Sequence, residues 1–198
     1  MFAPLTRWLT EPRFHRRVHA VRGDQWADLT PCAPWTVREL VQHVVWTHRW
    51  TPPLLSGESL EEVGSRFEGD LLGDDPVATW DNAELESRKA AAATEPGKRI
   101  VTLYGDLSAR EYLELVTSEV CVHTWDLARS IGDDDVLDPE LVGEVTDRYL
   151  HDRLYGGGAP AESWSALFRP PMAGMWELDP QGRLIALVGR DPSSRPVI

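Results

Sequence analysis

Cysteine is scarce in this chain. Two residues, Cys32 and Cys121, stand among 198, too few for a disulfide framework and without a C-x-x-C pair; both read as reduced thiols that pack. Positive charge is also in deficit. Twenty Lys and Arg face 32 Asp and Glu, a net charge of −12 and a pI near 4.9, which excludes the basic footprint of a nucleic-acid or anionic-membrane partner. No apolar run approaches the ~20 residues that span a bilayer, and the opening "MFAPLTRWLTEPRF" has no continuous apolar signal core. The expectation is a cytoplasmic chain whose partners are small molecules or proteins. Internal repeats and low-complexity tracts are absent too.

What the sequence does have is a series of helix boundaries. Thr10, Glu11 and Pro12 open a first helix carrying Phe14, Val18 and Val21 and stopping at Gly23. Thr36 and Glu39 form a capping box, with Trp35 and Leu40 placed as a hydrophobic staple; this second helix reaches about Trp50, ahead of Pro52 and Pro53. Asp75 and Pro76 start a third, to about Ala93. Ser108 and Glu111 box a fourth, running from about Ala109 to Ile131 and stopped by Gly132. Asp138 and Pro139 start a fifth, to about Leu154. Asp179, Pro180 and Gly189 bound a short last helix, with a hairpin turning at "DPQG" as the competing reading. Residues 51–75, rich in Gly, Pro and acid, form a long connection with one short helix after Ser59. "KRIVTLYGDL" alternates as one extended segment with no evident strand partner, so no sheet is expected. An all-α bundle follows: residues 1–154 form the helical bundle, and 155–198 an extension packed on it within a single domain. Nine tryptophans read as helix-interface packing, or as an aromatic wall around a pocket.

One segment of the fourth helix is unusual. In "SEVCVHTWD" a carboxylate and an imidazole, Glu119 and His123, stand four residues apart and so share a face. At about 100° per residue from Tyr112, that face also carries Leu115, Val116, Asp126 and Leu127, while Cys121, Ala128 and Arg129 lie opposite, on what reads as a mixed surface. The pair therefore points inward. A carboxylate so placed is stable when paired, protonated or bound to a cation, which leaves a buried hydrogen-bonded pair and a metal site both open. For a further ligand the second helix offers "LVQHVVWTHRW". Periodicity alone favours His48, mid-stripe beside Val41 and Val44, over His43 at the stripe's border. His15, His19 and His151 have no evident partner at ligand spacing and read as surface residues.

"TPCAPWTVRELVQHVV", "EVCVHTWDLARSIG" and the late "LIALVGRDP" together resemble the actinobacterial metal-binding proteins of the DinB-like superfamily, near the mycothiol-dependent maleylpyruvate isomerases. The likeness covers most of the chain, with Ala33 and Pro34 where a Pro-Gly pair is often seen. It implies a four-helix bundle and a divalent metal held by His43, Glu119 and His123. Zinc is the first expectation for two imidazoles and one carboxylate with an open position; Ni(II) and Fe(II) suit the same ligands. Asp126 is placed to accept from a ligand imidazole or to pair with Arg38. By the same resemblance, the expected activity is a thiol transferase or isomerase. Its metal would ionise a small thiol, mycothiol by likeness, for attack on a small electrophilic substrate, with residues 51–75 closing over the site. A metal-holding or sensing module without turnover is the alternative, and a metal-free helical homodimer the third reading.

Overall fold

The computed structural model describes residues 12–103, 105–155 and 169–194, apart from the side chains of 152–155. Its order is α1 (Pro12–Ala20), α2 (Val37–Ser56), α3 (Leu60–Val63), α4 (Pro76–Ala92), a β1–β2 hairpin (Arg99–Thr102 and Gly105–Ser108), α5 (Ala109–Ile131), α6 (Pro139–Tyr155) and α7 (Pro180–Leu187). The fold is all-α and DinB-like. The start signals at Thr10 and Glu11, and the "GGGAP" stretch, lie outside the described residues.

Local chemistry sets most of these boundaries. Both expected capping boxes form, Thr36 with Glu39 and Ser108 with Glu111, and Ser59 with Glu62 adds a third ahead of α3. Asp75 accepts from the Ala78 N–H, and Asp138 from those of Glu140 and Leu141. Asp179 caps α7 through the Gly182 N–H, so "DPQG" opens a helix and not a hairpin.

Two expectations need correction. Helix α2 does not stop at Trp50; it runs through Pro52 and Pro53 to Ser56 and ends on Gly57 in the left-handed region at φ 103°. An internal proline costs about 3 kcal/mol in an isolated helix, but here the segment is held from outside. Pro53, Leu54 and Leu55 are buried, Thr51 bonds back to the Thr47 carbonyl, and Lys98 Nζ binds the last carbonyls, Leu55 and Ser56. Likewise "KRIVTLYGDL" does have a partner: itself. Arg99 pairs with Ser108 and Thr102 with Gly105 in an antiparallel hairpin, where Gly105 supplies the positive φ of 109°.

Helices α1, α4, α2 and α5 pack in a ring, each touching the next, around a core that includes Phe14, Val18, Leu40, Val41, Val44, Trp80, Leu113 and Leu127. A second cluster lies on the far side of α5, where Cys121, Val122 and Trp125 meet Leu137, Val142 and Val145 from the α6 region and Leu184 and Ile185 of α7. This corrects the expected mixed surface: Cys121 and Ala128 are fully buried, while Arg129 stays at the edge, over the Trp125 ring and paired with Asp135. Helix α5 is thus enclosed on nearly all sides. Residues 51–75 are pinned as well, through Arg38 to Asp70, the Leu71 N–H to Gln42, and buried Leu72. No helix among the described residues is long and apolar enough to cross a membrane.

His48 is fully buried, its Nδ1–H donating to the Val44 carbonyl and its ring edge-on to Trp80. Burial pushes its pKa down from 6.5 to about 4, against the smaller upward pull of the Val44 carbonyl. The unfolded chain therefore binds a proton that the folded chain refuses. Stability from this group is complete above about pH 6.5 and falls toward pH 4, by up to about 3 kcal/mol. Urea denaturation across that range checks it: His48→Leu should flatten the slope by this share.

Candidate metal centre

The centre forms where α2 meets α5. Glu119 and His123, one helical turn apart, are both buried, with Glu119 6% exposed. His43 of α2 faces them: its Nε2 lies 4.0 Å from Glu119 Oε2, and its ring centroid 5.2 Å from that of His123, edge-on. The structure thus places His43 of α2 beside the two α5 residues that the resemblance implies, although the ligand atoms of the three do not all lie within 4.8 Å of one another. It places His48 elsewhere, on the face of α2 turned to α4. Periodicity correctly marks the most buried histidine, but helix–helix contact at a stripe's border puts His43 beside α5.

The 4.0 Å separation is too long for a hydrogen bond; two donors on one tetrahedral ion, with N–M of about 2.0–2.1 Å and M–O of about 2.0–2.2 Å, lie about 3.4 Å apart, so a shared ion would draw these two atoms closer. The state of the imidazoles fits such an ion. His123 Nδ1 is 3.0 Å from Asp126 Oδ2; the carboxylate can only accept, so Nδ1 is the donor, and in the neutral ring Nε2 is the nitrogen with the lone pair. Burial first, and His123 second, push the pKa of His43 down. It is neutral at pH 7, with a side chain 23% exposed that gives solvent an edge of the site.

Behind His123 lies a buried ionic group. Asp126 is fully buried and takes Arg190 Nε on Oδ1 at 3.2 Å and Nη2 on Oδ2 at 3.0 Å. Burial alone would raise the Asp126 pKa, but the Arg190 guanidinium and His123 outweigh it and hold it below the usual carboxylate range. Asp126 therefore serves His123, as expected, and its cation is Arg190; Arg38, the other candidate, pairs with Asp70. Arg190 also donates to Cys32 Sγ at 3.1 Å. Burial pushes the Cys32 thiol up to about 11, with Arg190 pulling it down and Asp126 adding to the rise, so it is a protonated neighbour and not a nucleophile. Cys32, His123 and Asp126 crowd within 4.8 Å of one another, but a cation among them would meet the guanidinium.

Arg190 went unrecognised in the sequence because 64 residues separate it from Asp126. Its placement depends on Gly189, at φ 77°, where a Cβ would come within 2.5 Å of that of Arg169. The loop before α2 is bonded onto itself, Thr30 N–H to the Trp35 carbonyl and Trp35 N–H to that of Cys32. It lays Trp35 against His43, ring centroids 4.7 Å apart, while Trp46 stacks on the other side. Beside Glu119, between α2, α5 and the hairpin, opens a narrow cleft walled by Trp46, Trp50, Leu103, Tyr112 and Leu115. The aromatic wall is thus present.

Residues 9–128 match the family described as the mycothiol maleylpyruvate isomerase N-terminal domain. The chain belongs to that family. Two proteins of Mycobacterium tuberculosis strains, uncharacterized protein MT0763 and uncharacterized protein Rv0738, are each 33% identical to it over 131 residues, 63% of this chain and 64% of theirs. The match therefore spans just under two thirds of those relatives. No solved structure matches.

Removing Arg190 strands a buried charge. Arg190→Ala should cost about 3–5 kcal/mol in urea denaturation, and Asp126→Asn in the same chain should recover part of it. Because the Asp126 pKa is depressed in the folded state, its contribution is present above about pH 4 and is lost as pH falls through the folded value.

Proposed function

We propose that this chain is a divalent-metal protein that carries out thiol-dependent chemistry, transfer or isomerisation, on a small electrophile. The observation that supports this most directly is the placement of His43 beside both Glu119, at 4.0 Å, and His123, at 5.2 Å between ring centroids, with a partly exposed edge. Those three would hold the ion, with zinc the first choice for this ligand set. The ion's contribution is to lower the pKa of a thiol or water that binds it. Mycothiol is the candidate thiol through family membership alone.

The chain's own residues set the rest. Asp126, neutralised by Arg190, keeps His123 in the tautomer that offers Nε2 and fixes its ring. Trp35 packs against the His43 ring, with Trp46 nearly parallel to it at 6.4 Å. The cleft beside Glu119 is the place for the electrophile. Its walls favour an apolar body, and the buried indole N–H of Trp50, which meets no acceptor among the described residues, is a donor available to a carbonyl or carboxylate oxygen. Tyr112, whose pKa burial pushes up most, with its bond to Thr51 pulling it down and the nearby Glu119 charge adding to the rise, lines the same space as a neutral group.

A second reading has its own support: the matched family is named for an N-terminal domain, and a domain that holds metal without turnover fits that description too. Added thiol separates the two. With cobalt in the site, a catalytic centre should change its visible spectrum when a small thiol is supplied, and a closed one should not. The decisive comparison is thiol-dependent turnover of a maleyl or similar conjugated electrophile by the metal-loaded protein and by Glu119→Ala. Loss of at least about a hundredfold, the cost expected of a damaged metal site, is the predicted outcome; equal rates would sink the mechanism.

A further inference from the structure

His15 and His19 read in the sequence as unrelated surface residues, yet they stand one turn apart on α1 and converge on α4. His19 Nε2 is 2.8 Å from Asp81 Oδ1, His15 Nδ1 is 3.6 Å from that same oxygen and 3.6 Å from Glu84 Oε2, and the two imidazole centroids are 4.5 Å apart. Donor atoms of His15, His19 and Asp81 all lie within 4.8 Å of one another. From these contacts we infer that the α1–α4 seam is a second divalent-cation site, independent of the centre on α2 and α5, which takes a borderline-soft first-row ion such as Zn(II), Ni(II) or Co(II).

Three features carry the inference beyond a pair of surface ion contacts. The first is spacing: histidines at i and i+4 of one helix bring two nitrogens within 4.8 Å of an Asp81 oxygen on another, with a Glu84 oxygen beside His15, and an ion would displace the proton that His19 Nε2 donates to Asp81. The second is the state of His15. The indole N–H of buried Trp80 donates to His15 Nδ1 at 3.3 Å, which marks that nitrogen as unprotonated. That nitrogen therefore has no proton to give the two carboxylate oxygens 3.6 Å away, and a cation between them would supply the missing positive charge. The long Trp80 contact is the weak bond that the ion would replace.

The third is charge. Asp81 and Glu84 carry two negative charges, one of them offset by Arg88 on the other Glu84 oxygen at 3.5 Å, which leaves the seam acidic. A cation would meet that negative charge. His15, His19 and Asp81 are 42–43% exposed and Glu84 is 14% exposed, so an ion can arrive from solvent and still rest against a buried floor. Bound there, it would tie the nine-residue α1 to α4 as a clip.

The test uses tag-free chain and Zn(II), with bound equivalents counted by calorimetry and equilibrium dialysis. A His43→Ala, Glu119→Gln variant, lacking the first centre, should still bind one equivalent, and zinc should raise its Tm and slow amide exchange in α1. Adding His15→Ala and His19→Ala should abolish all three effects, and Asp81→Asn should weaken binding at least tenfold. Because these side chains are largely exposed, circular dichroism of the variants should match that of the wild type. If the first-centre variant binds no zinc, or if zinc binding to it survives loss of both α1 histidines, the second site does not exist. Either result leaves the thiol chemistry of the first centre to its own test.

Discussion

The fold is organised around a helix that has almost no side facing water and yet carries ionisable groups in its middle. On α5, Glu119, His123 and Asp126 are all buried, and each such group must be matched by an opposite charge, a hydrogen bond or an ion. Asp126 is matched from behind by Arg190. His123 is held by Asp126. Glu119 turns to the α2 side, where His43 stands 4.0 Å away. The two faces of α5 thus do different work: the back supplies a fixed charge that sets the orientation of a ring, and the front supplies lone pairs.

Much of this was legible locally. Helix starts are written in residues three apart, so the boxes at Thr36 and Ser108 locate α2 and α5 without any tertiary knowledge, and the inward face of α5 follows from helical spacing. What spacing cannot supply is the identity of the partner. Periodicity ranks histidines by depth and so picks His48, which faces α4, where family resemblance picks His43. Arg190 was unreadable for the same reason, since its only link to Asp126 is spatial. The passage of α2 through Pro52 and Pro53 shows burial and side-chain bonds overriding backbone propensity. The hairpin was missed because each strand is four residues long, too short for alternation to declare a partner.

The histidines of α1 make the complementary point. His15 and His19 have the spacing that drew attention to Glu119 and His123, but their stretch, "PRFHRRVHA", is crowded with arginine and reads as solvated surface. That reading is right about exposure. The carboxylates they meet belong to α4, more than 60 residues away.

The segment that matches the family ends at residue 128, two positions after Asp126, whereas the guanidinium neutralising that carboxylate comes from residue 190, and the apolar cover of Cys121 and Trp125 from α6 and α7. The limits of kinship by sequence are therefore not the limits of a self-sufficient folding unit. A fragment cut at the edge of the match would expose a face of α5 built for enclosure and leave an anion without its counterpart, so in this chain the C-terminal helices belong to the centre as much as the residues that face it.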